Sequence, residues 1–125
     1  MRPRSAPAFL SLLAALAASP ALAQSGANVL VVANGNSSDS VRVAEHYLRT
    51  RAIPESQLVR LKVDPAADEV TREVFDRDIQ GPIVTWLSSH AAQDRILYIV
   101  LTKGVPLRIK GTSGRNGTVA SVDAA

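Results

Sequence analysis

The chain has 125 residues, no cysteine, and fourteen lysines and arginines against eleven acidic residues, a formal charge of +3. Without cysteine there is no disulfide, no thiolate metal site and no cysteine nucleophile, and the length suits one small domain rather than two. Arg2 and Arg4 fall in a segment expected to be removed, which leaves a charge of about +1 and takes away the electrostatic basis for a nucleic-acid partner.

That segment has three parts: the positive start at Arg2 and Arg4, the apolar stretch Ala8–Ala18 broken by Ser11, and Ser19-Pro20 before Ala21-Leu22-Ala23. This is the grammar of a secretory signal peptide over residues 1–23, with the mature chain beginning at Gln24. A spanning helix needs roughly 20 apolar residues, and the run reaches about half of that before its breaker. No cysteine follows for lipidation, and Pro3 separates the two arginines, so the general secretory route is expected. The product is then periplasmic or extracellular, with no stable membrane anchor after cleavage.

In the mature chain, Val29–Ala33 is a β-branched run between polar residues and predicts a strand buried on both faces. Asn34 to Ser40 are all turn and cap types. From Val41 the period becomes helical, with Val41, Ala44 and Leu48 on one face, a cap at Asp39 or Ser40, and an end before Pro54. Val59, Leu61 and Val63 alternate with Arg60 and Lys62, which predicts a second strand near a sheet edge. Phe75, Ile79, Ile83 and Trp86-Leu87 follow helical spacing after a cap at Thr71. Gly81-Pro82 interrupts them, giving one kinked helix or two short ones. Ile96–Leu101 is six apolar residues without a break and reads as the central strand.

The order strand-helix-strand-helix-strand, with helix-length crossovers, predicts a three-layer α/β fold with a mostly parallel sheet over residues 24–109. Residues 110–125 are rich in Gly, Ser and Thr and read as a loop or truncated tail. Three strands leave an edge that further strands ought to cover, so the domain is expected to be incomplete.

Ligands of open parallel sheets bind beyond the carboxyl ends of the strands. The loops there supply Asn34, Asn36, Ser37, Ser38, Asp39 and Ser40 after the first strand, Asp64 after the second, and Thr102, Lys103 and Gly104 after the third. Of these, Asn34, Asn36, Ser38, Asp39, Asp64, Thr102 and Lys103 are the candidate ligand-binding residues. The first loop has the composition of an anion cradle at a helix start, and equally that of an ordinary cap and turn. Asp64 stands near the place of a ribose-binding acid, and also makes an Asp-Pro turn. Lys103 leaves the most apolar strand between Thr102 and Gly104, placed either to bind a carboxylate or phosphate or to stand in solvent. Lys103, Arg108, Lys110 and Arg115 face only Asp123 in acidic charge over residues 103–125, a surplus that suits an acidic ligand.

Other motifs point away from known chemistries. No G-x-G-x-x-G is present, and the glycines Gly111, Gly114 and Gly117 lack the G-K-[ST] of a phosphate loop. No cofactor is expected. His46 and His90 sit on different predicted helices, so no metal site is indicated. No Gly-x-Ser-x-Gly elbow is present, and no catalytic residue can be assigned.

Several segments carry a resemblance: Asn28–Asn34 (NVLVVAN), Tyr47 with Arg51–Pro54 (RAIP), Ile79 with Pro82-Ile83 and Trp86-Leu87, and above all Arg95–Ile109 (RILYIVLTKGVPLRI), followed by Ser121–Asp123 (SVD). Together these resemble the amino-terminal part of a family of exported bacterial proteins, without established activity, found in genomes that encode exosortase, the membrane enzyme proposed to sort envelope proteins. The resemblance implies an envelope setting and a role beside protein sorting or exopolysaccharide export. It also implies a longer chain, with Ala125 an early end. The position of Lys103-Gly104 is similar to that of the His-Gly after the corresponding strand in caspase-like and gingipain-like peptidases, but cysteine is missing. The expectation is an exported, envelope-associated binding domain whose partner is an acidic envelope component. The alternative is a truncated part of a hydrolase or processing enzyme with caspase-like α/β topology.

Overall fold

The computed structural model describes residues 25–111 and 120–122. The segment read as a signal peptide, and most of the Gly/Ser/Thr-rich tail, lie outside the described residues. Ser25 caps a short 3-10 turn at Gly26–Asn28, which runs into β1 (Val29–Asn34). α1 (Ser38–Thr50) follows, and a second 3-10 turn (Glu55–Gln57) leads into β2 (Leu58–Leu61). The chain continues through β3 (Glu69–Val70), α2 (Arg72–Val74), a π-helical turn (Phe75–Gln80), α3 (Gly81–Ser89), β4 (Tyr98–Leu101), β5 (Arg108–Ile109) and β6 (Ala120–Ser121).

The main sheet is parallel throughout, in the order β2-β1-β4. Strand side chains alternate between faces, and β1 is apolar on both. Leu30 and Val32 join Leu61, Phe75 and Ile79 in one core cluster, while Val31 and Ala33 pack with Ala44 and Leu48 of α1 in the other. α1 thus covers one face and the α2–α3 helix the other, so the chain is a three-layer α/β domain.

The strand order corrects one expectation. The apolar run Ile96–Leu101 supplies an edge strand, β4, and the centre belongs to β1. Two apolar faces require apolar neighbours above and below, but they say nothing about whether both backbone edges are paired. Tyr98 and Ile99 remain 47% and 46% exposed, whereas Leu30 to Ala33 are fully buried. β2 lies at the other edge, as its alternating charges predicted, and Arg60 reaches Glu45 of α1 at 3.6 Å.

One local reading also changes. Ser37, rather than Asp39 or Ser40, caps α1, its hydroxyl accepting the Ser40 N–H at 3.2 Å. The second helix is one disturbed run, as expected, with Pro82 in the first turn of α3. Thr71 caps it as expected, its Oγ1 accepting from the Val74 N–H, and the backbone stays helical from Arg72 to Ser89. Proline has no N–H to donate into the helix. The preceding turn widens to π geometry, in which the Gly81 N–H reaches the Asp76 carbonyl five residues back.

A small second sheet, β3-β5-β6, pairs β3 with β5 in parallel and β5 with β6 antiparallel. It adds Val70, Ile109 and Val122 to the larger core cluster. β6 falls inside the span read as a loop. No helix among the described residues is long and apolar enough to cross a membrane.

Candidate functional site at the carboxyl ends of β1 and β4

The strand order fixes where a site belongs. From β1 the chain crosses over α1 to β2 on one side, and from β2 it crosses over α2–α3, on the opposite face, to β4 on the other side. The connections diverge between β1 and β4, and this is the switch point at which open parallel sheets form their crevice. At that point the β1–α1 turn meets the loop Thr102–Val105.

Those two loops are locked together. Asn34, fully buried at the end of β1, donates from Nδ2 to the Gly104 carbonyl at 2.8 Å and accepts the Asn36 N–H on Oδ1 at 3.0 Å. Its own N–H donates to Ser40 Oγ at 2.8 Å, and Ser40 Oγ lies 2.7 Å from Thr102 Oγ1. Thr102 Oγ1 in turn lies 3.3 Å from the Val32 carbonyl. A carbonyl can only accept, so the Thr102 proton points to Val32, and Ser40 must give its proton to Thr102. Every hydroxyl proton of this buried relay is therefore committed. No side-chain nitrogen or oxygen buried among the described residues lacks a partner.

Gly104 allows the two loops to approach. Its φ of +96° is a conformation that L side chains rarely adopt, and a Cβ there would stand 3.2 Å from Ser37 Oγ. The turn presents Lys103 outward beside the first turn of α1.

The seven predicted residues divide by role. Asn34 and Thr102 are inside, holding the loops. Asn36 is exposed, yet its Nδ2 donates to the Val63 carbonyl at 3.0 Å and ties the first loop to the chain leaving β2. Asp64 accepts the Ala66 N–H on Oδ1 at 2.9 Å and so makes the turn after β2. Asp39 pairs with Arg42 at 2.7 Å on the surface. Ser38 and Lys103 are exposed on the rim, and Lys103 forms no ion pair among the described residues. Ser40, the centre of the relay, was legible as a rim residue and cap candidate but not as the serine that turns inward. Its signal was weak, because Ser37, Ser38 and Ser40 are alike as cap candidates and only the tertiary fold sends one of them inward.

Ser40 has no free proton, and neither histidine stands at the carboxyl ends of the strands. His46 lies exposed on α1, 3.4 Å from Thr50 Oγ1, and His90 ends α3, stacked on Trp86 with ring centroids 4.3 Å apart. Groups of three or more metal-ligating side chains are absent among the described residues. The resolved shifts in acidity concern a surface pair away from the rim. The Asp78 carboxyl is lowered by the hydrogen bond from Arg77, and the Arg77 guanidinium is raised by the same bond.

In comparison with known proteins, the chain matches no family model, no curated protein and no solved structure.

Proposed function

We propose that this chain is an exported, envelope-associated binding domain whose switch-point rim engages an acidic envelope component, in a setting of protein sorting or exopolysaccharide export. The observation that supports the binding role is the placement of Lys103. An ammonium with no ion pair among the described residues is held at the carboxyl end of β4 by a turn that Gly104 and Asn34 fix. α1 begins at the same end of the sheet, and its dipole adds partial positive charge there, although Ser37 already caps its Ser40 N–H. A carboxylate or sulfate group would meet both. The envelope setting rests on the signal grammar of residues 1–23 and on the family resemblance. A hydrolase has less support, because the relay protons are committed and the two histidines that lie beside hydroxyls, His46 by Thr50 and His90 by Ser89, are on helices away from the strand ends.

The test is binding of an oligomeric uronic acid to the full chain at low and moderate salt. Saturable binding that Lys103→Ala abolishes and Lys103→Arg retains supports the proposal. Binding that Lys103→Ala leaves unchanged removes it.

A further inference from the structure

Among the described residues, β4 carries a cleft on each face and no paired strand on its outer side. On the face of α1, Tyr98 and Val100 line a cleft with Val29, Tyr47 and Arg51. On the face of α3, Ile99 and Leu101 line a second, largely apolar cleft with Ile83, Val84 and Leu87. A groove of ≈ 510 Å³ runs along this edge, from Ile99 past Lys103 to Leu107, with Ser121 and Val122 on its other side. Leu97, Tyr98, Ile99 and Leu107 are between 46% and 69% exposed. An unpaired, apolar edge of this kind is a template for one more strand.

Charge selects the occupant. Among the described residues that line the edge groove, Lys103 is the one charged residue, and it stands at the carboxyl end of β4. The amino-terminal end of α1 adds positive potential at the same end of the sheet. A strand entering parallel to β4 brings its carboxyl end to Lys103, whereas an antiparallel strand brings its amino end there. A second copy fits poorly. Two-fold pairing is antiparallel, and centring the apolar run on Ile99 sets Lys103 directly opposite the second copy's Arg95, a repulsive pair.

We propose that the free edge of β4 binds an extended, alternating apolar peptide segment, in parallel orientation, with a carboxylate at its carboxyl end held by Lys103. Main-chain bonds to the edge would give affinity, and the clefts on the two faces would take alternate side chains. The proposal shares Lys103 with the rim reading but does not rest on it, since it requires the backbone edge.

The experiment titrates the full chain into a fluorescein-labelled heptapeptide of alternating valine and threonine that ends in glutamate with a free carboxyl terminus. Saturable binding is expected. Replacing the terminal glutamate by glutamine amide is expected to weaken it about tenfold, the scale of a lost charge-assisted hydrogen bond. Lys103→Ala is expected to erase that difference. A peptide methylated on alternate backbone nitrogens is expected not to bind, a result that touches no protein residue and separates this proposal from the rim. Equal binding of the acid, amide and methylated peptides overturns the proposal, as does equal binding of a peptide with its glutamate at the amino end. A chain that is dimeric until Ile99→Glu makes it monomeric gives the edge to a second copy and also overturns it. Slow amide exchange across Tyr98–Leu101 in a monomer without peptide means that the chain covers its own edge, with the same consequence.

Discussion

Removing one oxygen, in Ser40→Ala, tests the relay that locks the two loops. Ser40 is fully buried, and its Oγ accepts the Asn34 N–H at 2.8 Å while standing 2.7 Å from Thr102 Oγ1. Alanine leaves the Asn34 N–H with no acceptor in a place closed to water. An orphaned buried donor costs about 1–3 kcal/mol. Thr102 loses less, since it keeps its bond to the Val32 carbonyl. The expected destabilisation is therefore about 2 kcal/mol. In a domain of this size that lowers Tm by about 10 °C. Urea unfolding, followed by circular dichroism with an unchanged m-value, measures it. Thr102→Val alone leaves the Asn34 N–H satisfied and should cost about 1 kcal/mol. The double variant should cost less than the sum of the two, because each removes the same Ser40–Thr102 bond. A Ser40→Ala chain within about 0.5 kcal/mol of its parent would refute the account of the relay.

Other consequences are as direct. Gly104→Ala must hold a Cβ at φ +96° and 3.2 Å from Ser37 Oγ, so a loss of about 1–3 kcal/mol is expected in the same unfolding assay. A neutral result would place the Lys103 turn elsewhere. Leu30→Ala, in the central strand, should cost about 2–5 kcal/mol, whereas Tyr98→Thr, half exposed on the free edge, should change stability by much less. Equal costs would contradict the order β2-β1-β4. Amino-terminal sequencing of the exported product should begin at Gln24, and a retained Met1 on a membrane-bound product would contradict the signal reading.

The element order was legible because each element carries its own period. β1 announced itself by five apolar residues between polar ones, and α1 by the spacing of Val41, Ala44 and Leu48. The strand-end loops followed from the alternation of strands and helices, and the carboxyl-end rule led to Asn34, Thr102 and Lys103 without knowledge of strand order. The order itself was not legible. β4 is more continuously apolar than β1, yet it lies at the edge, because hydrophobicity reports what faces a strand and not what pairs with it. Which serine turns inward was equally hidden. Ser37 and Ser40 differ only in what the folded chain brings near them, namely the Ser40 N–H for one and Thr102 for the other. The second sheet escaped notice since strands as short as Glu69–Val70 and Arg108–Ile109 show no period. Gly81-Pro82 signalled a disturbance but not its form, which a widened turn absorbs without ending the helix.

The most direct measurement of the central claim is a map of backbone amide shifts in the labelled full chain as an oligomeric uronic acid is added. A ligand held at the switch point should move the amides of Gly35 to Asp39 and of Thr102 to Gly104 together, with one saturation constant, and Lys103→Ala should abolish the movement at both loops. Saturable shifts confined to other surfaces, or shifts at the two loops that persist without Lys103, would contradict it.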